Sequence, residues 1–161
     1  MSRLPELTAK VDAFFARVTV RHGDDMQCTT GCSDCCHVRL SVTGVEAAAI
    51  RELVASWPAA QRAELAEQGP PDRCSALDPA TGRCRIYAAR PLVCRSHGVP
   101  IRLIPPGRNS LPVIEACHRN FRHSEADADC VLDQGTLSAL LLAVNGGDTT
   151  RIDLAALLAE C

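Results

Sequence analysis

Apolar residues recur three or four positions apart from Leu4 through Leu7, Val11, Phe14 and Phe15 to Val18, which predicts an amphipathic helix over 4–18. A capping box, Thr43 followed by Glu46, opens a second helical stretch, GVEAAAIRELVAS. Pro58 reads as the first residue of a third, PAAQRAELAEQ, which Gly69-Pro70-Pro71 ends. From 72 to 98 the period disappears and DPATG marks a turn. VPIRLI and LPVIEA flank PPGRNS as a short hairpin, with Pro100 and Pro112 demoting both strands to edge status. Helical character returns over 135–160: GTLSALLLAVN, a Gly146-Gly147 stop, then RIDLAALLAE opened by Thr149 or Thr150. The expected fold is a mainly α, small single domain over 1–161, with helices at both ends packing around an irregular centre.

Composition narrows the class. The chain has 161 residues, 47% hydrophobic and 22% charged, a balance that suits one modest core and argues against disorder. Its formal charge of -2 offers no basic surface for nucleic acid. The longest apolar run, LSALLLAV, is too short to span a bilayer, and the first residues do not read as a signal peptide. The expectation is a cytoplasmic protein without a membrane partner. Aromatic residues make up only 3%, so the core needs another source of cohesion, such as a metal or disulfides.

That source is visible in CTTGCSDCCH, residues 28–37, where Cys28, Cys32, Cys35 and Cys36 crowd together. On a helix these positions fall at about 0°, 40°, 340° and 80°, one face, and a loop followed by one turn converges them equally. Crowded thiolates repel, and a cation among them removes that cost. Disulfide pairing is disfavoured by the adjacent pair, whose bridging strains the backbone, and by a reducing compartment. Neighbouring residues rarely grip one tetrahedral ion together, so Cys35 and Cys36 serve different metals or different irons of a cluster. Cys74, Cys84, Cys94 and Cys117 bring the metal set to eight. Eight thiolates suit two four-coordinate sites, or an iron–sulfur cluster plus a zinc.

His37, His97 and His118 lie near these cysteines as substitute ligands or as imidazoles behind them, whereas His22 and His123 read as surface residues. Cys130 and Cys161 stand apart and are left out of the site, Cys130 as a small apolar residue and Cys161 as the chain's last. Arg39, Arg73, Arg85, Arg90 and Arg95 sit close to candidate ligands and can offset thiolate charge. Asp127 and Asp129 read as a solvated acidic turn.

Taken with CTTGCSDCC, the stretch GRCRIYAARPLVCRSHG, 82–98, resembles the YkgJ-type cysteine-cluster family (CxxCxxCC) of zinc- or iron-chelating domains. The resemblance runs over about 28–117. It rests on the Cys35-Cys36 pair, Cys74 before a loop at Leu77, Gly82 to Tyr87, Arg90 to Arg95, and a later single cysteine, Cys117. In this chain Thr29-Thr30-Gly31 places three residues, not two, between the first cysteines. The resemblance implies a metal-chelating module, in some members an iron–sulfur protein, with no established reaction for small members. A larger relative, the flagellin lysine methylase, has a similar cysteine region, but no glycine-rich loop for a methyl-donor nucleotide is present here.

Two function classes compete: a binding or structural module closed around its metal, and a redox or catalytic iron–sulfur protein. Cys28, Cys32 and Cys35 reproduce the spacing of radical S-adenosylmethionine enzymes, without the alternating strands and helices their barrel needs. Cys32-Ser33-Asp34-Cys35 likewise lacks the sheet of a dithiol oxidoreductase. The adjacent pair and the surplus of thiolates favour iron–sulfur or iron over zinc.

Overall fold

The structure is a computed structural model that describes residues 2–67, 69–107 and 110–161. In chain order its elements are α1 (Leu4–Arg21), β1 (Ser41–Val42), α2 (Gly44–Ala55), α3 (Ala59–Ala66), α4 (Leu92–Ser96), β2 (Ile101–Leu103), β3 (Val113–Glu115), β4 (Leu132–Asp133), α5 (Gln134–Val144), β5 (Ile152–Asp153) and α6 (Leu154–Ala159). Helices lie towards both ends of the chain, and the strands are only two or three residues long. Contacts divide the chain into two compact units, each assembled from two stretches: Met1–Cys28 with Leu92–Val144, and Thr29–Pro91 with Asn145–Cys161. No helix among the described residues is long and apolar enough to cross a membrane.

In the first unit α1 forms where the period places it and runs on to Arg21, burying Leu4, Leu7, Val11 and Val18. Leu7 and Val11 pack with Leu92 of α4 and Leu137 and Leu141 of α5. Val18 joins Met26, Val99 and Cys130, with Phe14, Phe15 and Phe121 at the margin of that cluster. The expected hairpin is present as β2 and β3, antiparallel with Ile101 opposite Glu115. Arg108 and Asn109 of its connection lie outside the described residues. β2 is not an edge strand: it also pairs in parallel with β4, so the sheet order is β3-β2-β4. Pro100 precedes β2 and, although it has no N–H to donate, its carbonyl accepts the Leu132 N–H at 2.8 Å.

The second unit is built on an aliphatic core of Val42, Ile50, Val54, Leu65, Ile86 and Leu157, all buried. α2 starts as its capping box dictates, with the Glu46 carboxylate accepting from the Thr43 N–H at 2.9 Å and its hydroxyl at 2.8 Å. Two expected helix starts shift. Pro58 is the N-cap of α3 rather than its first helical residue, and Gln68 of that stretch lies outside the described residues. α6 is opened by Asp153, whose carboxylate accepts the Ala156 N–H at 2.8 Å, because Ile152 and Asp153 first pair with β1 as β5. The threonines lie upstream, where the Thr150 N–H donates to Asp148 at 2.8 Å.

Candidate metal centre

Cys32, Cys35, Cys36, Cys74 and Cys84 belong to the second unit, and Cys28, Cys94 and Cys117 to the first. All ten cysteines stand as thiols. The stretch 28–37 is not a helix but a loop leading into a short turn. Gly31 takes φ 90°, the Cys32 N–H donates to Thr29 at 3.0 Å, and a 3-10 turn spans Asp34–Cys36.

In the second unit that turn is tied to the next cysteine loop through its backbone. The Cys74 N–H donates to the Cys36 carbonyl at 2.7 Å. Leu77 then bridges Cys84 in antiparallel fashion, and the Arg85 N–H donates to Ala76 at 2.8 Å, closing the loop that carries Cys74 and Cys84. Asp78 folds the loop tip by accepting from the Ala80 N–H at 3.0 Å and the Thr81 hydroxyl at 2.5 Å. These bonds to its carboxylate hold Asp78 below the usual carboxylate range.

The thiols act on one another. A hydrogen bond from Cys36 to Cys35 lowers the Cys35 thiol and raises that of Cys36, and the charges of Cys35, Cys74 and Cys84 push Cys36 further up. Burial raises Cys74, and burial followed by the charge of Cys74 pushes Cys84 up to about 11. Three of these thiols, Cys36, Cys74 and Cys84, are pushed up by burial and by neighbouring thiolate charge, a cost that a nearby cation would offset. Of the flanking arginines, Arg39 and Arg90 act on these thiols: Arg39 favours the Cys74 thiolate, and Arg90 those of Cys35 and Cys84. Arg39 also holds the approach to Cys74 by donating to Pro71 at 3.1 Å and Ser75 at 2.6 Å. Arg85 instead donates to the Glu64 carbonyl at 2.9 Å and Arg95 to Asp12 at 2.5 Å.

In the first unit Cys28 is positioned by two residues outside the predicted site, Gly98 and Asn120. Gly98 has φ 110°, a conformation that favours glycine, and a Cβ there would lie 2.8 Å from the Cys28 Sγ and push the sulfur from its present place. It directly follows α4 and its capping residue, the place of a helix-ending glycine, and that signal is legible in the sequence. Asn120 has none. Its side chain is buried, accepts the Gln27 N–H at 2.8 Å, and donates to the Gly98 carbonyl at 2.7 Å and to Cys28 Sγ at 3.3 Å. Asn120→Ala leaves the Gln27 donor and Gly98 acceptor without these partners. The expected cost is about 1–3 kcal/mol, read as a lower melting temperature; an unchanged one would remove Asn120 as a positioning residue.

Cys94 rides on α4, and Cys117 is half-buried with its carbonyl accepting the Asn120 N–H at 2.8 Å. His97 is held below the usual imidazole range by partial burial and then by the charge of His118. His37 and His123 are exposed. Cys161 donates its thiol to the Leu157 carbonyl at 3.2 Å and packs on the second unit's core rather than hanging loose. Among the described residues, the group of three potential ligand atoms lying within 4.8 Å of one another is His22, Asp127 and Cys130, not three of the eight sulfurs. His22, expected on the surface, has only 13% of its side chain exposed.

The donors suit a soft or borderline ion. Thiolates select zinc, iron or iron–sulfur clusters over magnesium or calcium. A family model described as "CxxCxxCC: Putative zinc- or iron-chelating domain" matches residues 27–131. No curated protein and no solved structure matches the chain.

Proposed function

Since the chain belongs to the CxxCxxCC family, we propose that it is a thiolate metal-binding protein holding iron as an iron–sulfur cluster, in a redox or accessory role in the cytoplasm. The ligand sets of this reading are Cys32, Cys35, Cys36, Cys74 and Cys84 in one unit and Cys28, Cys94 and Cys117 in the other, with His97 and His118 beside the latter. The supporting observation is the adjacent Cys35-Cys36 pair, tied to the Cys74–Cys84 loop by the 2.7 Å bond from the Cys74 N–H to the Cys36 carbonyl. Adjacent thiolates divide naturally between the irons of a polynuclear cluster. When bound, such a cluster supplies one-electron transfer; the chain's own residues supply thiolates and, through Arg39 and Arg90, compensating positive charge. To hold a metal the sulfurs would turn about their side-chain bonds towards one another.

Purification without oxygen, followed by elemental analysis, sulfide determination and a visible spectrum, tests this. A brown protein containing iron and acid-labile sulfide is the expected result. A colourless protein with zinc alone would replace the cluster by a structural zinc module, and a metal-free folded protein would end both readings.

A further inference from the structure

A different trio lies wholly within the first unit, away from the eight thiols assigned above. His22 follows the last turn of α1, Asp127 precedes a 3-10 turn, Ala128–Cys130, and Cys130 ends it. One ligand atom from each, an imidazole nitrogen, a carboxylate oxygen and a sulfur, lies within 4.8 Å of the other two. Four-coordinate bonds of about 2.0–2.3 Å place neighbouring ligand atoms about 3.3–3.8 Å apart. His22 Nε2 and Asp127 Oδ2 already stand at 3.4 Å.

The surroundings hold this trio in place. The His22 ring meets Phe121 edge-on, with centroids 5.3 Å apart, and the Asp25 carboxylate lies 3.9 Å from Nδ1 on the ring's other side. Phe121 takes the left-handed φ of 51° that few non-glycine residues adopt, with its N–H donating to the Asp25 carbonyl at 3.0 Å. The Asp25 carboxylate faces the distal nitrogen from beyond hydrogen-bond distance, so it is an electrostatic neighbour of the ring and Phe121 makes the direct contact. His22 Nε2 is buried without a hydrogen-bond partner, although Asp127 is near, which is costly unless something binds there. Cys130 is fully buried, its N–H donates to the Asp127 carbonyl at 2.8 Å, and Arg21 Nη1 approaches its Sγ to 3.8 Å. Arg21 is itself balanced by Asp129 at 2.5 Å and Asp127 at 3.5 Å.

We propose that His22, Asp127 and Cys130 form a mononuclear site for a divalent transition metal of zinc-like preference, with one coordination position open to solvent. A neutral imidazole, a carboxylate and a thiolate around a divalent ion sum to zero charge, so binding relieves the buried polar atoms without creating a net buried charge. The thiolate disfavours magnesium and calcium. Asp127, with 57% of its side chain exposed, leaves the open side towards water. The site does not rest on the thiolate reading. The rival account is a bare His22–Asp127 ion pair.

Cobalt(II) added to the protein as purified, with its thiolate centres already filled, distinguishes the two. The expected result is uptake of one further equivalent per chain, with thiolate-to-cobalt charge-transfer absorption and a paramagnetically shifted imidazole proton resonance. His22→Gln and Asp127→Asn, both folded by circular dichroism, should each lose that equivalent, and Cys130→Ser the charge-transfer band. Cys84→Ser should keep the site while losing metal from the thiolate set, which separates failure of one reading from failure of the other. No further equivalent in the unmodified protein, or equal uptake by His22→Gln and Asp127→Asn, would overturn the proposal.

Discussion

Cys84→Ser is expected to strip metal from the second unit and to lower its melting temperature by well over 10 °C. The substitution is nearly isosteric, so without a metal role it should cost about 1 kcal/mol, a matter of one exchanged polar atom at a half-buried position. As a ligand, Cys84 is worth far more. Structural metals contribute about 10–16 kcal/mol in zinc-finger peptides, against a total stability of about 5–15 kcal/mol for a typical domain. Losing one thiolate of a set therefore consumes much of the margin, all the more because Cys84 packs on the unit's aliphatic core, where Trp57, partly buried, is the aromatic ring at its margin among the described residues. Cys32→Ser and Cys35→Ser should behave alike, and Cys94→Ser should strip metal from the first unit's set instead. Elemental analysis and thermal melts of the four variants decide the matter. Full metal content and unchanged melting in all of them would show that these sulfurs are not ligands.

Gly82→Ala should be the most damaging change that touches no candidate ligand. Gly82 has φ 68°, and a Cβ there would lie 2.7 Å from the Gly31 carbonyl oxygen. Two costs add: about 1–2 kcal/mol for an L-residue in the left-handed region, and about 1–3 kcal/mol for overlap with a backbone atom that cannot rotate away. The sum, about 2–5 kcal/mol, corresponds to about 5–15 °C in a chain of this size. The displaced Gly31 turn directly precedes Cys32, so metal retention should fall as well. Two other glycines calibrate the effect. Gly146 has φ 69° with nothing near its virtual Cβ and should pay the conformational cost alone. Gly69 has neither a positive φ nor a neighbour within 4 Å and should tolerate alanine. Equal melting temperatures for all three variants would disprove the close approach of the two loops.

Elements whose determinants lie within a few residues are legible in the amino-acid string alone. The α1 stripe, the Thr43–Glu46 capping box, the β2–β3 hairpin and the stop at Gly146-Gly147 are all local, because helix hydrogen bonds, caps and tight turns join near neighbours in the chain. So is the chemistry of the thiols, since cysteine number and spacing are properties of the string itself. Where local signals compete, tertiary pairing decides. The backbone partnership of β5 with β1 places the N-cap at Asp153 rather than at a threonine, and β4 turns β2 from an edge into a central strand. The two-unit division is likewise a matter of distant contacts. It passes between Cys28 and Cys32, at the very Thr29-Thr30-Gly31 spacer that lengthens the first motif, and assigns Cys74 and Cys84 to the turn of Cys35 and Cys36. His22, Asp127 and Cys130 carry no shared pattern in one dimension, and neither does Asn120 with Cys28. Such juxtapositions arise only when buried apolar faces close loops over long stretches of chain, and no local propensity encodes which distant side chains then meet.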